Sequence, residues 1–193
     1  MLNNKLILIG NKDIKKDISK DLEQFGTVVR INRCTNWENT KTSKTDYWLM
    51  DIAKESLFTD FIRMPQACID TLISANKIFF FENTKNVSLW TLLNFNGLNK
   101  LIIEEFRYTF DIEKYFPKFD FFTSRPTNFM WMLLYIIEKL NKINNYEIYI
   151  TATDIYDRSY LKYSNFHKEC YKQEEQVLQD LLNKKIINLL PYE

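Results

Sequence analysis

The sequence predicts an α/β fold, one domain over residues 1–193, built on a mostly parallel, doubly wound sheet with helices on both faces. Three observations carry this. KLILI at 5–9 is apolar without interruption, as in a parallel strand buried on both faces. It breaks at Gly10-Asn11 and feeds DIKKDISKDLEQF, where Ile14, Ile18, Leu22 and Phe25 recur at spacings of four, four and three before Gly26, an amphipathic helix. Short strands then alternate with helical patterns and polar loops to the end of the chain.

In order, TVVRIN (27–32) and TDYWLMD (45–51) read as the second and third strands. DFIRMPQACIDTLISAN predicts a loop and helix leading into the aromatic strand KIFFFEN (77–83). NVSLWTLLNFNG predicts a helix with Gly97 just past its end, followed by the strand KLIIEEF (100–106). Pro126 sits near the start of a helix with a long apolar face, FTSRPTNFMWMLLYIIEKLNK. YEIYITATD (146–154) is a strand, 155–166 a polar loop, KECYKQEEQVLQDLLNKK an amphipathic helix, and IINLL (186–190) a short closing strand. IEE at 103–105 and QEEQ at 173–176 read as solvated charge clusters, and FPKFDFF (116–122) as core packing rather than a carbohydrate platform.

Composition narrows the function classes. With 193 residues, 46% hydrophobic and 16% aromatic, the chain can bury a full core. Its 26 basic and 25 acidic residues leave a net charge of +1, which predicts no polyanionic partner, so nucleic-acid binding is disfavoured. The three cysteines, Cys34, Cys68 and Cys170, are widely spaced and accompanied by one histidine, which argues against a disulfide framework or a zinc site. The opening apolar stretch is too short for a signal peptide, and no run reaches the length of a membrane span. A cytoplasmic chain is expected, with peripheral association with the inner membrane left open and the oligomeric state unknown.

In open α/β sheets ligands bind beyond the carboxyl ends of the strands. Polar residues at those positions are Asn11, Asn32, Asp51, Glu82-Asn83 and Asp154. Each taken alone is more often a turn former or helix cap than a ligand contact.

Taken in order, four stretches resemble the sialyltransferases, the bacterial lipooligosaccharide and capsule enzymes in particular and, more distantly, the animal ones. ILIGNKDIKKDI resembles the opening strand and turn that these enzymes place beneath the nucleotide. TVVRINRCTNWENTKTSKTDYWLMD resembles their second block, and SRPTNFMWMLLYIIEKLNKINNYEIYITATDIYD the third. NFHKECYKQEEQVLQDLLNKKIINLL resembles the last block, where the family has its late histidine. The likeness implies a single Rossmann-like domain of the glycosyltransferase type A-like kind. It implies CMP-sialic acid as donor substrate, a glycan as acceptor, and no cofactor or metal. The absence of an Asp-x-Asp pair agrees with a metal-independent reaction.

Roles follow from the resemblance. Such a transfer must remove a hydroxyl proton, steady a departing phosphate and hold the cytidine. His167, the one histidine, falls where the family keeps its base, and imidazole suits that role near neutral pH. Tyr156, with Tyr160 or Tyr163, would donate hydrogen bonds to the phosphate. Asn11 and Asn32 would contact the donor's phosphate and ribose, with the helix N-terminus after Asn11 assisting. Asp51 would face a sugar hydroxyl, Arg125, Thr127 and Asn128 the sugar carboxylate or acceptor, and Asp154 would order the nearby loop. Without the resemblance these residues read as surface histidine, packing tyrosines and a helix-entry turn.

The departures matter equally. The first turn lacks the second glycine and the following Pro-Ser; Asn128-Phe129 stand for Ser-Gly; Thr151-Ala152-Thr153-Asp154 replaces a strand-end glycine; and the segment from Asp154 to His167 is short. They leave a catalytically degenerate binding or scaffold protein as the rival reading. A dinucleotide-dependent oxidoreductase is disfavoured, because GxGxxG and an acidic residue after the second strand are both lacking.

Overall fold

The computed structural model describes residues 4–31, 36–50, 75–80, 102–105, 111–117, 126–153 and 170–192. Seven strands, β1 (Lys5–Ile9), β2 (Thr27–Ile31), β3 (Thr45–Met50), β4 (Ala75–Phe80), β5 (Ile102–Glu105), β6 (Glu147–Thr151) and β7 (Asn188–Leu189), form one sheet in the order β5-β4-β3-β2-β1-β6-β7. All six pairings are parallel. The chain winds outward from β1 to β5 and then returns to lay β6 on the free side of β1. The switch point of this α/β fold therefore lies between β1 and β6, the place where such sheets open a ligand crevice.

Alternation of side chains gives the sheet two buried faces. Leu6 and Leu8 join Val29, Ile31, Ile148 and Ile150 on one; Ile7 and Ile9 join Val28 on the other. This is why β1 is apolar at every position after Lys5.

Helices cover the first face. α2 (Asn128–Tyr135) runs directly into a π-helical turn (Ile136–Leu140) and α3 (Asn141–Asn144), and α4 (Tyr171–Asn183) packs alongside with Ile112 and Phe116. Every residue of α2 is buried, because it lies between the sheet and these outer elements. The helical run ends at Asn145, whose φ of 50° is the left-handed conformation that asparagine tolerates. The Asn4 side chain donates to the carbonyls of Asn144 (3.0 Å) and Asn145 (3.1 Å), so this end sits beside the amino end of β1. At 1.5 Å per residue the run is about 25 Å long, enough to carry its N-terminus back to the carboxyl rim of the sheet.

The second face differs from expectation. The four apolar residues Ile14, Ile18, Leu22 and Phe25 are all buried, yet only Ser19–Leu22 is helical, as the single turn α1. Asparagines from the next connection hold the preceding backbone open. Asn36 Nδ2 donates to the carbonyls of Gly10 and Lys12, Asn39 Nδ2 donates to that of Ile14, and the Ile18 N–H donates to the Asn39 carbonyl. Backbone groups so engaged cannot form a helical ladder. The helices expected within 60–76 and 86–97 lie outside the described residues except for Ala75 and Asn76, which begin β4 instead, and no helix among those described is long and apolar enough to cross a membrane.

A charged cluster fastens the segment 111–117 to the π-helical turn. Glu138 accepts from Lys114 (2.8 Å), the Tyr115 hydroxyl and Lys142 (2.9 Å). The Lys114 ammonium, and after it Tyr115 and Lys142, lower its pKa from 4.5 to about 2. The contribution to stability is thus fully present above about pH 4.5 and disappears as pH falls through about 2. Glu138→Gln is expected to cost about 1 kcal/mol at neutral pH, since water still screens the cluster. Urea titrations across the acid range should show this difference from the unmodified chain vanish towards the lower value.

Candidate functional site

The carboxyl rim at β1 and β6 is tightly built. The Gly10 N–H donates to the Thr151 carbonyl and the Lys12 N–H to the Ala152 carbonyl, both at 2.9 Å, so the turn after β1 is tied to the end of β6. A Cβ on Gly10 would lie 2.3 Å from the Ala152 carbonyl oxygen. Gly10 is therefore required by backbone approach between the strands. Ala152 has φ 51°, which glycine adopts freely and alanine only with strain of about 1–2 kcal/mol. Alanine thus keeps a glycine's conformation at the position where the sequence departs from the resembled strand end.

On the α1 side, Tyr192 packs against the rim. Its hydroxyl donates to the Thr153 carbonyl at 2.7 Å, and the Lys12 ammonium lies 5.4 Å from its ring centroid. Thr151 Oγ1 donates to the Leu190 carbonyl at 3.0 Å, which fixes the chain leading to Tyr192.

On the α2 side, Thr127 is the N-cap, and its Oγ1 accepts from the Met130 N–H. The same hydroxyl donates to Glu174 Oε2 at 3.0 Å, and the Thr127 N–H donates to Oε1. Glu174 lies in the first turn of α4 and is fully buried. Its carboxylate therefore joins the starts of two helices, each favourable to negative charge. Glu174→Ala would leave two Thr127 donors buried without that acceptor. It is expected to lower unfolding free energy by about 3 kcal/mol in chemical denaturation, against about 1 kcal/mol for Thr127→Val.

Of the residues singled out in the sequence, Asn11, Thr127 and Asn128 are described. Asn11 is half-buried in the β1 turn, and Thr127 and Asn128 are buried at the start of α2. The turn and helix start share the carboxyl rim. No helix N-terminus follows Asn11, because α1 begins only at Ser19; the expectation of a helix dipole there is corrected. His167, Tyr156, Tyr160, Tyr163, Asn32, Asp51, Arg125 and Asp154 lie outside the described residues.

Residues missed in the sequence are Glu174, Arg30 and Asn36. QEEQ is not wholly solvated: Cys170, Glu174, Leu178 and Leu181 form one buried stripe at helical spacing, and a charge on that stripe was the available signal. Arg30 is buried within the apolar strand β2, donating to Thr40 Oγ1 at 3.1 Å, to the Thr40 carbonyl and to Thr42 Oγ1, with its guanidinium 4.6 Å from the Trp37 ring centroid.

The fold and rim together define a Rossmann-like α/β protein with a polar switch point. Among solved structures it is similar to an alpha-2,3-sialyltransferase from Campylobacter jejuni in apo form, at TM-score 0.54 and 16% identity over 98% of this chain and 75% of that one. It is also similar to the Campylobacter jejuni sialyltransferase CstII in complex with a substrate analogue, CMP-3FNeuAc, at TM-score 0.51 and 18% identity over 97% and 79% of the two chains. No family model and no curated protein matches the sequence.

Proposed function

We propose that the chain is a sialyltransferase-like glycosyltransferase, transferring sialic acid from CMP-sialic acid to a surface glycan acceptor by a metal-independent inverting displacement. The observation that supports this most is the likeness in fold to a sialyltransferase over nearly the whole chain, with the polar turn of Asn11 falling at the switch point. The acceptor hydroxyl attacks the anomeric carbon of the sugar and gives its proton to the His167 imidazole. The bond from that carbon to the phosphate oxygen breaks on the opposite face, and CMP leaves with the electron pair. Tyr156, with Tyr160 or Tyr163, meets the charge growing on the phosphate. Asn11 and Asn32 hold the donor, Asp51 a sugar hydroxyl, and Arg125 and Asn128 the sugar carboxylate or acceptor. Asp154 orders the loop. Thr127, engaged with Glu174 and Met130, positions the start of α2. The acceptor would be met in the cytoplasm, at the periphery of the inner membrane.

One observation favours a second reading, a related protein that binds or scaffolds without catalysis. The Gly10 and Lys12 amides, which a phosphate cradle would need, donate instead to the carbonyls of Thr151 and Ala152. Incubating the purified chain with CMP-sialic acid separates the two. Release of CMP and free sugar above the spontaneous rate supports the transferase, and binding without release supports the scaffold.

A further inference from the structure

We propose that Asn36 is a positioning residue for nucleotide binding, fixing the turn that carries Asn11 at the carboxyl rim of β1 and β6; this rests on the function proposed above. A side-chain amide carries two N–H donors, and those of Asn36 reach the carbonyls on either side of Asn11, Gly10 and Lys12, each at 2.9 Å. The amides of the same two residues are bonded to Thr151, the last residue of β6, and to Ala152 just after it. The peptide flanking Asn11 is thus gripped from opposite sides, by the sheet through its donors and by Asn36 through its acceptors.

Asn36 is itself held. It is 3% exposed, and Thr40 Oγ1 lies 3.0 Å from its carbonyl oxygen and 3.3 Å from its Oδ1. Thr40 Oγ1 accepts from Arg30 at 3.1 Å. A relay of Arg30, Thr40 and Asn36 therefore connects the middle of the sheet to the turn after β1. Aspartate has the same shape as asparagine but, ionised, would turn an oxygen without a proton towards two carbonyls.

A double-mutant cycle on the full chain tests this, with CMP as the titrant and each variant held well below its thermal midpoint. Asn36→Asp is expected to weaken CMP binding about tenfold, the loss of one net hydrogen-bond pair. In an Asn11→Ala background the same change is expected to alter affinity by about twofold or less, because the group it positions is gone. Thr40→Val, which cuts the relay without placing charge at the turn, serves as the second variant and is expected to follow the same pattern if Asn36→Asp does not fold. Equal losses in both backgrounds, or no loss in either, overturn the role of Asn36 while leaving CMP binding intact. Absence of CMP binding by the unmodified chain overturns this inference and the proposed function together.

Discussion

Gly10→Ala is expected to destabilise the chain more than a methyl group's size suggests, by about 2–3 kcal/mol, a fall in thermal midpoint of roughly 5–10 °C. The added Cβ would sit 2.3 Å from the Ala152 carbonyl oxygen, a backbone atom that no rotamer change can move. Relief requires β1 and β6 to part at their carboxyl ends. That stretches the Gly10 to Thr151 and Lys12 to Ala152 hydrogen bonds at the switch point. Stability and nucleotide binding should therefore fall together in this variant, whereas Glu138→Gln, on the cluster with Lys114 and Tyr115, should change stability alone. Calorimetric melting beside CMP titration checks both halves.

His167→Ala is expected to lower turnover of CMP-sialic acid by about 10²–10⁴-fold, the range for loss of a positioned general base. Under the proposed mechanism its imidazole takes the acceptor proton as the bond to carbon forms, and the chain has no second histidine to replace it. CMP affinity should change little, because the base acts on the acceptor and not on the nucleotide. Single-turnover assays beside CMP titration distinguish this from a folding defect. Unchanged turnover would remove His167 from the chemistry.

The sheet was legible in the sequence because parallel strands buried on both faces leave an unbroken apolar signature, as in KLILI. All seven strands occur where the pattern placed them, β1 with the bounds expected and β4 beginning two residues earlier, at Ala75. The helix expected over 13–25 was not legible in its true form. Spacings of four and three residues record which side chains are buried, and Ile14 and Ile18 are buried, but they do not record where the backbone groups bond. Those bonds go to Asn36 and Asn39, side chains more than twenty residues away in sequence. Glu174 was hidden for a related reason: its neighbours are charged, and its burial follows from the stripe it shares with Cys170, Leu178 and Leu181. The helix-entry reading of Thr127 holds in the structure, where the residue caps α2. Its substrate contact was an inference from likeness, and the bond to Glu174 has now given its hydroxyl another task.

The central claim is that the rim between β1 and β6 receives a cytidine nucleotide through Asn11. Isothermal titration of CMP into the unmodified chain and into Asn11→Ala tests it most directly. Saturable binding at one site, weakened about tenfold in the variant, is the predicted result. No binding at millimolar CMP, or identical isotherms for the two proteins, would contradict it.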